Sequence, residues 1–266
     1  MIISRTPYRL SFFGGGTDYS AWSDKHGGLI IGSTFARYCY ISCRFLPPFF
    51  EHKTRVVYSL IESVKNHTEI KHPAVRGCLS FLSFNQGLEI HHDGDLPARS
   101  GLGSSSSFTV GLLNALYGLR GEMRTKRHLA DNAIFVEQKL LNEHVGIQDQ
   151  ILSSHGGLNI IEIGENSTYR VSPLILPFDY KLGLESHVLL GFTGLTRFAS
   201  DIAGVQVKSI EKGETRMGEI HAIAKEALEL FRSQADFRKI GDLLHKSWEI
   251  KRSLAKNVSN DDIDLL

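Results

Sequence analysis

Residues 96–107 carry the clearest chemical signal in the sequence, and they read LPARSGLGSSSS. Gly101 and Gly103 allow the backbone to approach a ligand closely, and the serines add hydroxyl donors. The segment follows a strand-like run and precedes an amphipathic helix, whose N-terminus offers unpaired N–H groups and the positive end of the helix dipole. Because such helix ends bind anions, the segment predicts a phosphate-binding loop rather than a flexible Gly/Ser linker.

Three well-known motifs do not fit this segment. It lacks the G-x-x-x-x-G-K-[ST] pattern of a Walker A loop. The run from Gly101 to Ser106 lacks the third glycine of a dinucleotide-binding fingerprint. No G-x-S-x-G elbow is present, so a hydrolase serine has no support.

Glu137 and Asp149 are acidic residues that could assist phosphate chemistry. Glu137 falls on the apolar stripe of a predicted helix, where a carboxylate is costly unless it meets a cation or hydrogen-bond donors. It could pair with an Arg or Lys, or it could help to hold Mg²⁺, which prefers carboxylate and phosphate oxygens. Asp149 follows a turn that begins at Gly146. It could be a helix N-cap or the base that accepts a proton from a substrate hydroxyl.

The N-terminal segment RTPYRLSFFGGGTD, at residues 5–18, contains a second group of candidates. Apolar residues run to Phe13, and three glycines then end the predicted strand and let the backbone approach a ligand. Thr17 and Asp18 offer partners for sugar hydroxyls. Arg9 could be a solvent-facing strand residue, or it could stabilise charge on a phosphoryl group in transfer.

Composition limits the class of protein. The chain has 266 residues, 42% of them hydrophobic, and a net charge of +1 from 30 Lys+Arg and 29 Asp+Glu. These values are typical of a soluble globular protein of one large or two smaller domains, and they give no support to nucleic-acid or polybasic membrane binding. The N-terminus lacks a signal-peptide layout, and three cysteines are too few for a disulfide framework. We expect a cytoplasmic protein, for which a homo-oligomer stays open.

The hydrophobic pattern predicts the elements that position these residues. Alternation over 37–45 predicts a strand with Cys39 and Cys43 on one face as small apolar residues rather than metal ligands, and further strands are predicted at 88–92, 158–163 and 188–193. Helices are predicted from residue 104, from the N-cap Thr125 to about His144, and over two C-terminal stripes. The change from strand-rich to helix-rich sequence near residue 180 predicts an α+β class.

Three separated motifs together resemble one family, the GHMP small-molecule kinases. They are PYRLSFFGGGTD at 7–18, PxxxGLGSSSS at 97–107 and GxxDQ at 146–150 after Glu137. Within the family, residues 5–22 and 191–197 are most similar to the kinases of heptose 7-phosphates. The resemblance implies an N-terminal catalytic domain over 1–180, similar to domain 2 of ribosomal protein S5, and a ferredoxin-like C-terminal domain over 181–266.

The resemblance also implies roles for the matched residues. The ATP phosphates would be bound by Pro97, Arg99, Gly101, Leu102, Gly103, Ser104, Ser105 and Ser106. Ser105 and Glu137 would hold Mg²⁺, Asp149 would accept the proton of the sugar hydroxyl, and Arg9 would offset charge on the phosphoryl group. The sugar phosphate would be bound by Gly15, Gly16, Thr17, Asp18 and Arg197, with Arg5 and Arg99 as weaker candidates for its phosphate. Galactokinases carry Glu-His in place of Gly15-Gly16, which argues for a bulkier sugar than galactose.

The implied reaction is ATP-dependent phosphorylation of the anomeric hydroxyl of D-glycero-D-manno-heptose 7-phosphate to the 1,7-bisphosphate, towards nucleotide-activated heptose. Two alternatives stay open: an L-fucokinase-like sugar kinase, and a non-catalytic homologue that binds a sugar phosphate or nucleotide. The second stays open because the third family motif, roughly GxGxGG, is not found in the sequence. The resemblance therefore implies an incomplete C-terminal domain that continues past Leu266, with a strand edge that another copy could cover.

Overall fold

A computed structural model describes residues 1–98, 100–191, 214–254, 259 and 261–264. The chain divides into two compact units that interleave along the sequence. The first unit contains Met1–Arg9, Thr34–Glu143 and Asp149–Gly156, and the second contains Leu10–Ser33, His144–Gln148 and Gly157–Leu266. The domains predicted from the sequence, 1–180 and 181–266, stay a prediction.

Strands and helices are mixed throughout the described residues, which confirms the α+β class. The strands are β1 (Ile2–Phe13), β2 (Gly28–Phe45), β3 (Thr54–Val57), β4 (Ile61–Val64), β5 (Leu88–Gly94), β6 (Leu158–Ile163) and β7 (Tyr169–Pro173). The helices are α1 (Ser20–His26), α2 (Pro73–Phe81), α3 (Ser104–Leu119), α4 (Lys126–Phe135), α5 (Gln148–His155), α6 (Phe178–Ser186), α7 (Glu214–Arg232), α8 (Phe237–Leu254) and α9 (Asp261–Asp264). Across the described ranges, none of these helices combines the length and the apolar character that crossing a bilayer requires.

In the first unit, the C-terminal half of β2 pairs with β5 in antiparallel register, with Cys39 opposite Gly94 and Phe45 opposite Leu88. Strand β5 also pairs with β3, in parallel, and β3 pairs with β4. The inner face of β2 packs against residues of α2 and α3 in one hydrophobic core. Cys39 and Cys43 are fully buried there as free thiols, which confirms their prediction as small apolar residues on a strand face.

In the second unit, the N-terminal half of β2 pairs with β6, and β6 pairs with β7, both in antiparallel register. The core of this unit combines strand residues with the apolar stripe of α7. Phe13 at the end of β1 meets Phe231 of α7 edge to face, with ring centroids 6.3 Å apart. The first of the two C-terminal helical stripes predicted from the sequence is therefore confirmed.

Two elements differ from their predictions. The helix that begins after the N-cap Thr125 ends as an α-helix at Phe135 and continues as a π-helix over Val136–Leu140 rather than to His144. The strand predicted at 188–193 is wrong for residues 188–191, which form no strand and leave Leu189 95% exposed. Residues 192 and 193 lie outside the described residues. A short apolar run does not by itself distinguish a buried strand from other structure.

Leu112 of α3 tests the core on which the first unit is built, because its side chain is fully buried. We expect Leu112→Ala to lower the free energy of unfolding by about 3–5 kcal/mol through lost burial and the cavity left behind. Urea unfolding followed by circular dichroism measures the change. Leu60→Ala is the matched control, since Leu60 is 59% exposed. Equal destabilisation by both variants would contradict this assignment of the core.

Candidate active site

The loop before α3 has the backbone geometry that the glycines predict. Gly101 and Gly103 have φ angles of +75° and +72°, in the left-handed region that favours glycine. Gly103 also has no room for a side chain, because a Cβ there would lie 2.8 Å from Cγ of Arg9 and 3.4 Å from Oδ2 of Asp149. Ser104 opens α3 directly after Gly103. The N–H groups of the first helical turn, which have no acceptor within the helix, therefore belong to this loop.

Hydrogen bonds from Arg9 of β1 connect this strand to the loop. Its Nη1 donates to the carbonyl of Gly101 at 2.8 Å. Its backbone N–H donates to the carbonyl of Leu102 at 3.1 Å. Its Nε and Nη2 donate to Oδ1 and Oδ2 of Asp149 at 2.6 and 2.7 Å. A bidentate pair of this kind fixes the plane of the carboxylate as well as its distance. The solvent-facing alternative for Arg9 is therefore wrong, since its side chain is only 15% exposed.

Asp149 is the second residue of α5, and its side chain does not serve as an N-cap. The carboxylate is turned to Arg9 and is 24% exposed. The first N–H of α5, that of Gln148, instead donates to Oδ2 of Asp18 at 3.1 Å. Asp149 is therefore a fixed, partly accessible carboxylate.

Glu137 lies inside the first unit with 1% of its surface exposed. Its Oε2 accepts a hydrogen bond from the hydroxyl of Ser106 at 2.9 Å and another from Nε2 of Gln150. Its Oε1 is buried and has no hydrogen-bond partner among the described residues. Burial raises the pKa of Glu137 from 4.5 to about 7, against the opposing effect of hydroxyl and amide donors. Within the described part of the chain, polar donors rather than an Arg or Lys meet this carboxylate.

The π-helix explains why Glu137 has this position. The N–H of Leu141 donates to the carbonyl of Val136 at 2.9 Å, five residues earlier. Short π-helical segments inside α-helices occur frequently at functional sites. A stripe of 3.6-residue period cannot reveal the extra residue per turn, so the sequence places Glu137 on an apolar face without showing where that face points.

A hard cation fits the donors around Glu137. Oε1 of Glu137 is a buried carboxylate oxygen without a partner among the described residues, and a hydroxyl donates to the other carboxylate oxygen, Oε2. That hydroxyl belongs to Ser106, whereas the predicted metal ligand Ser105 is exposed. Across the described ranges, no group of three or more His, Cys, Asp or Glu side chains could hold a metal. A Mg²⁺ ion would therefore need phosphate and water oxygens as further ligands, as is usual for this ion.

In the second unit, Asp18 organises the glycine turn and the start of α5. The carboxylate is 2% exposed. Its Oδ1 accepts hydrogen bonds from the N–H of Gly16 at 3.0 Å and from Nε2 of Gln148 at 3.3 Å. A Cβ at Gly146 would lie 1.8 Å from Oδ2 of Asp18. The glycine three residues before Asp149 is therefore required by the carboxylate of Asp18.

Thr17 and the two glycines before it serve the turn in different ways. The hydroxyl of Thr17 is fully buried and donates to the carbonyl of Gly14 at 2.8 Å, and it accepts from the N–H of Leu29 at 3.2 Å. Thr17 thus joins the turn to β2. Gly15 and Gly16 remain partly accessible. Their predicted contacts with a sugar stay predictions.

Arg5 and Pro97 are predicted residues that the structure does not bring into these clusters. Arg5 is exposed, and its guanidinium lies 4.6 Å from the ring centre of Tyr38. Pro97 is exposed ahead of the loop. Arg99 and Arg197 lie outside the described residues.

Four polar residues of the clusters were not predicted from the sequence: Gln150 beside Glu137, Gln148 beside Asp18, and Ser11 and Lys251 beside Gly15. The first three lie inside the motifs and could have been found there. Lys251 lies on α8, and only the loss of apolar character towards the end of its helical stripe distinguishes it.

Comparison with known proteins gives the family of this chain. The family model for the GHMP kinases N terminal domain matches residues 58–157. The D-glycero-alpha-D-manno-heptose 7-phosphate kinase of Campylobacter jejuni is 30% identical over 99% of this chain and 80% of its own length. The bifunctional fucokinase/GDP-fucose pyrophosphorylase of Arabidopsis thaliana is 22% identical over 98% of this chain and 27% of its own length.

A solved structure of a heptose phosphate kinase has a fold similar to that of this chain. The crystal structure of a D-glycero-D-manno-heptose 1-phosphate kinase from Bacteroides thetaiotaomicron has a TM-score of 0.80 at 24% identity, and it matches over 95% of this chain and 80% of that one. This chain therefore belongs to the GHMP kinase family, and the two sequence relatives named above are sugar kinases.

The pKa of Glu137 generates a pH-dependent prediction for stability. The folded protein retains the Glu137 proton up to about pH 7, while the unfolded chain releases it near 4.5. The contribution of the protonated carboxyl to stability is therefore fully present below pH 4.5 and is lost as the pH rises to 7. We expect Glu137→Gln to gain about 3 kcal/mol relative to the wild type over this interval, because Gln cannot ionise.

Urea unfolding at pH 4.5, 5.5 and 7 without divalent cations measures this difference. Glu69→Gln, at an exposed carboxylate of the same unit, is the control and should follow the wild type. A constant difference between Glu137→Gln and the wild type at all three pH values would contradict the assignment.

Proposed function

We propose that this protein transfers the γ-phosphoryl group of ATP to the anomeric hydroxyl of D-glycero-D-manno-heptose 7-phosphate, giving the 1,7-bisphosphate. One observation carries the proposal. Arg9 holds the Asp149 carboxylate in a bidentate pair and is itself hydrogen-bonded to the carbonyls of Gly101 and Leu102 in the glycine loop. A phosphate-binding loop and a carboxylate that can receive a hydroxyl proton are therefore held by one side chain.

The loop supplies charge stabilisation for the ATP phosphates. The N–H groups at the start of α3 lie at the positive end of the dipole of a 16-residue helix. Such an end favours anionic groups. Gly101 is exposed, with nothing near the position of a Cβ, so the backbone is open to a ligand there. The predicted contacts of Pro97, Arg99 and Ser104 with the nucleotide belong to the same proposal.

Asp149 orients the acceptor hydroxyl and receives its proton. Phosphoryl transfer depends mainly on positioning and charge stabilisation, and a carboxylate fixed by two N–H donors has a defined orientation. Arg9 contributes twice: it aims the carboxylate, and its positive charge offsets the negative charge of the phosphoryl group in transfer. Acid–base assistance of this kind contributes about 10²–10⁴-fold to the rate.

Glu137 is the residue proposed to hold Mg²⁺, together with a serine hydroxyl at the start of α3. The ion would supply positive charge to the β- and γ-phosphates when bound. The hydroxyl of Ser106 donates a hydrogen bond to Glu137, whereas Ser105, the metal ligand expected from the sequence, is exposed. A positive ion also explains why an oxygen of a buried carboxylate has no partner in the described structure.

Relatives support the choice of a heptose phosphate. The names of the Campylobacter jejuni and Bacteroides thetaiotaomicron proteins agree on heptose and differ in the position of its phosphate. A second candidate is an L-fucokinase-like activity, which the Arabidopsis thaliana relative favours because it matches over 98% of this chain. Location in the cytoplasm belongs to the proposal as well.

Asp149→Asn tests the proposed base. The variant keeps the size of the side chain and removes its charge, so we expect kcat to fall by about 10²–10⁴-fold while the KM for ATP changes little. ADP-release kinetics measure both parameters. Asp131→Asn is the matched control on α4, where Asp131 is exposed and pairs with Arg127, and it should leave kcat unchanged. An unaltered kcat for Asp149→Asn would remove Asp149 from this role.

A substrate panel tests the reaction. We expect ADP release with D-glycero-D-manno-heptose 7-phosphate and little or none with L-fucose, D-galactose or mevalonate. Turnover of L-fucose without turnover of heptose 7-phosphate would replace the proposal by the fucokinase-like activity. ATP binding by calorimetry without turnover of any of the four would replace it by a non-catalytic binding protein.

A further inference from the structure

Three polar side chains converge on the space above Gly15 in the second unit. A Cβ built at Gly15 would lie 3.1 Å from Nζ of Lys251, 3.1 Å from Oγ of Ser11 and 3.5 Å from Nε2 of Gln148. Because Gly15 has no side chain, these three polar atoms can lie close to the glycine turn. All four residues are partly accessible, and a small solute can therefore reach them.

Hydrogen bonds fix the side chains of Ser11 and Gln148 within this cluster. The hydroxyl of Ser11 donates to Oε1 of Gln148 at 2.7 Å, and Nε2 of Gln148 donates to Oδ1 of Asp18 at 3.3 Å. An amide nitrogen carries two hydrogens, so Nε2 of Gln148 has a second N–H for a further acceptor. Asp18 is 2% exposed and already accepts three N–H donors. Its negative charge is therefore shared within the protein.

Lys251 brings a compact positive charge to this space. It lies on α8 between Ile250 and Leu254, which pack against the Trp22 cluster. Its long apolar stem can lie along that surface while the ammonium reaches the glycine turn. An ammonium group has three donors and no acceptor, and lysine is a common partner of phosphate as a point charge.

We propose that Lys251, with the amide of Gln148, binds the phosphate group that the sugar substrate already carries, and so makes this kinase select phosphorylated sugars. The inference rests on the proposed function, because it assigns the 7-phosphate of that substrate to the space above Gly15. Ser11 is a positioning residue that holds Gln148. Arg197, which the sequence offers for this phosphate, lies outside the described residues.

Lys251→Met is the variant that tests the assignment, since it keeps the stem and removes the charge. We expect the KM for D-glycero-D-manno-heptose 7-phosphate to rise about 10- to 100-fold, the range of one charge-assisted hydrogen bond. The KM for ATP and the KM for unphosphorylated D-glycero-D-manno-heptose should stay within about twofold, because neither uses this charge. Lys251→Arg should recover part of the loss.

Lys246→Met on the same helix is the matched control, because Lys246 is exposed, and it should behave as the wild type. An unchanged KM for the 7-phosphate in Lys251→Met would overturn the proposal. An equal rise for both sugars, together with a lowered Tm, would also overturn it by showing a structural role.

Failure of the proposed function can be told apart from failure of this inference. If the wild-type protein does not turn over heptose 7-phosphate, the proposed reaction is wrong, and the binding of inorganic phosphate is then compared by calorimetry. Weaker binding by Lys251→Met than by the wild type and Lys246→Met supports a phosphate site at Lys251. Equal binding by all three overturns it.

Discussion

The bidentate pair between Arg9 and Asp149 is the interaction on which the candidate site depends. One guanidinium group serves β1, the glycine loop and α5, because Nε and Nη2 bind the carboxylate while Nη1 binds the carbonyl of Gly101. A lysine has neither the planar fork nor the number of directed donors for this. The approach is close enough that Gly103 has no room for a Cβ. Glycine is therefore required at position 103 by side chains that pair across 140 positions of the sequence.

At Glu137, a side chain that is placed for binding lowers the stability of the fold. A fully buried carboxylate without a cation costs folding free energy, and its raised pKa, about 7, expresses that cost. The π-helix and the hydrogen bonds from Ser106 and Gln150 nevertheless hold it in one position. Departures from local rules of this kind are expected where a structure serves binding, and a magnesium ion brought by ATP would reverse the electrostatic penalty.

Local features of this structure could be predicted from the sequence, and long-range contacts could not. The left-handed glycines of the loop follow from residue type, and the cap at Thr125, whose hydroxyl accepts from the N–H of His128, follows from position. The pairing of Asp18 with Gln148, 130 residues apart, depends on tertiary packing that no local pattern contains. The same holds for Lys251 beside Gly15. The π-helix at Glu137 could not be predicted, because a stripe of 3.6-residue period does not reveal one extra residue per turn.

Arg9→Lys tests the central claim most directly, because it keeps the charge and removes the fork. We expect weaker calorimetric binding of Mg-ATP and a kcat lowered at least tenfold, because the loop and the carboxylate lose their common partner. The Tm should stay close to that of the wild type. Arg5→Lys, an exposed arginine of the same strand, should change neither quantity. Wild-type ATP affinity and kcat in Arg9→Lys would contradict the account, because a simple positive charge would then suffice.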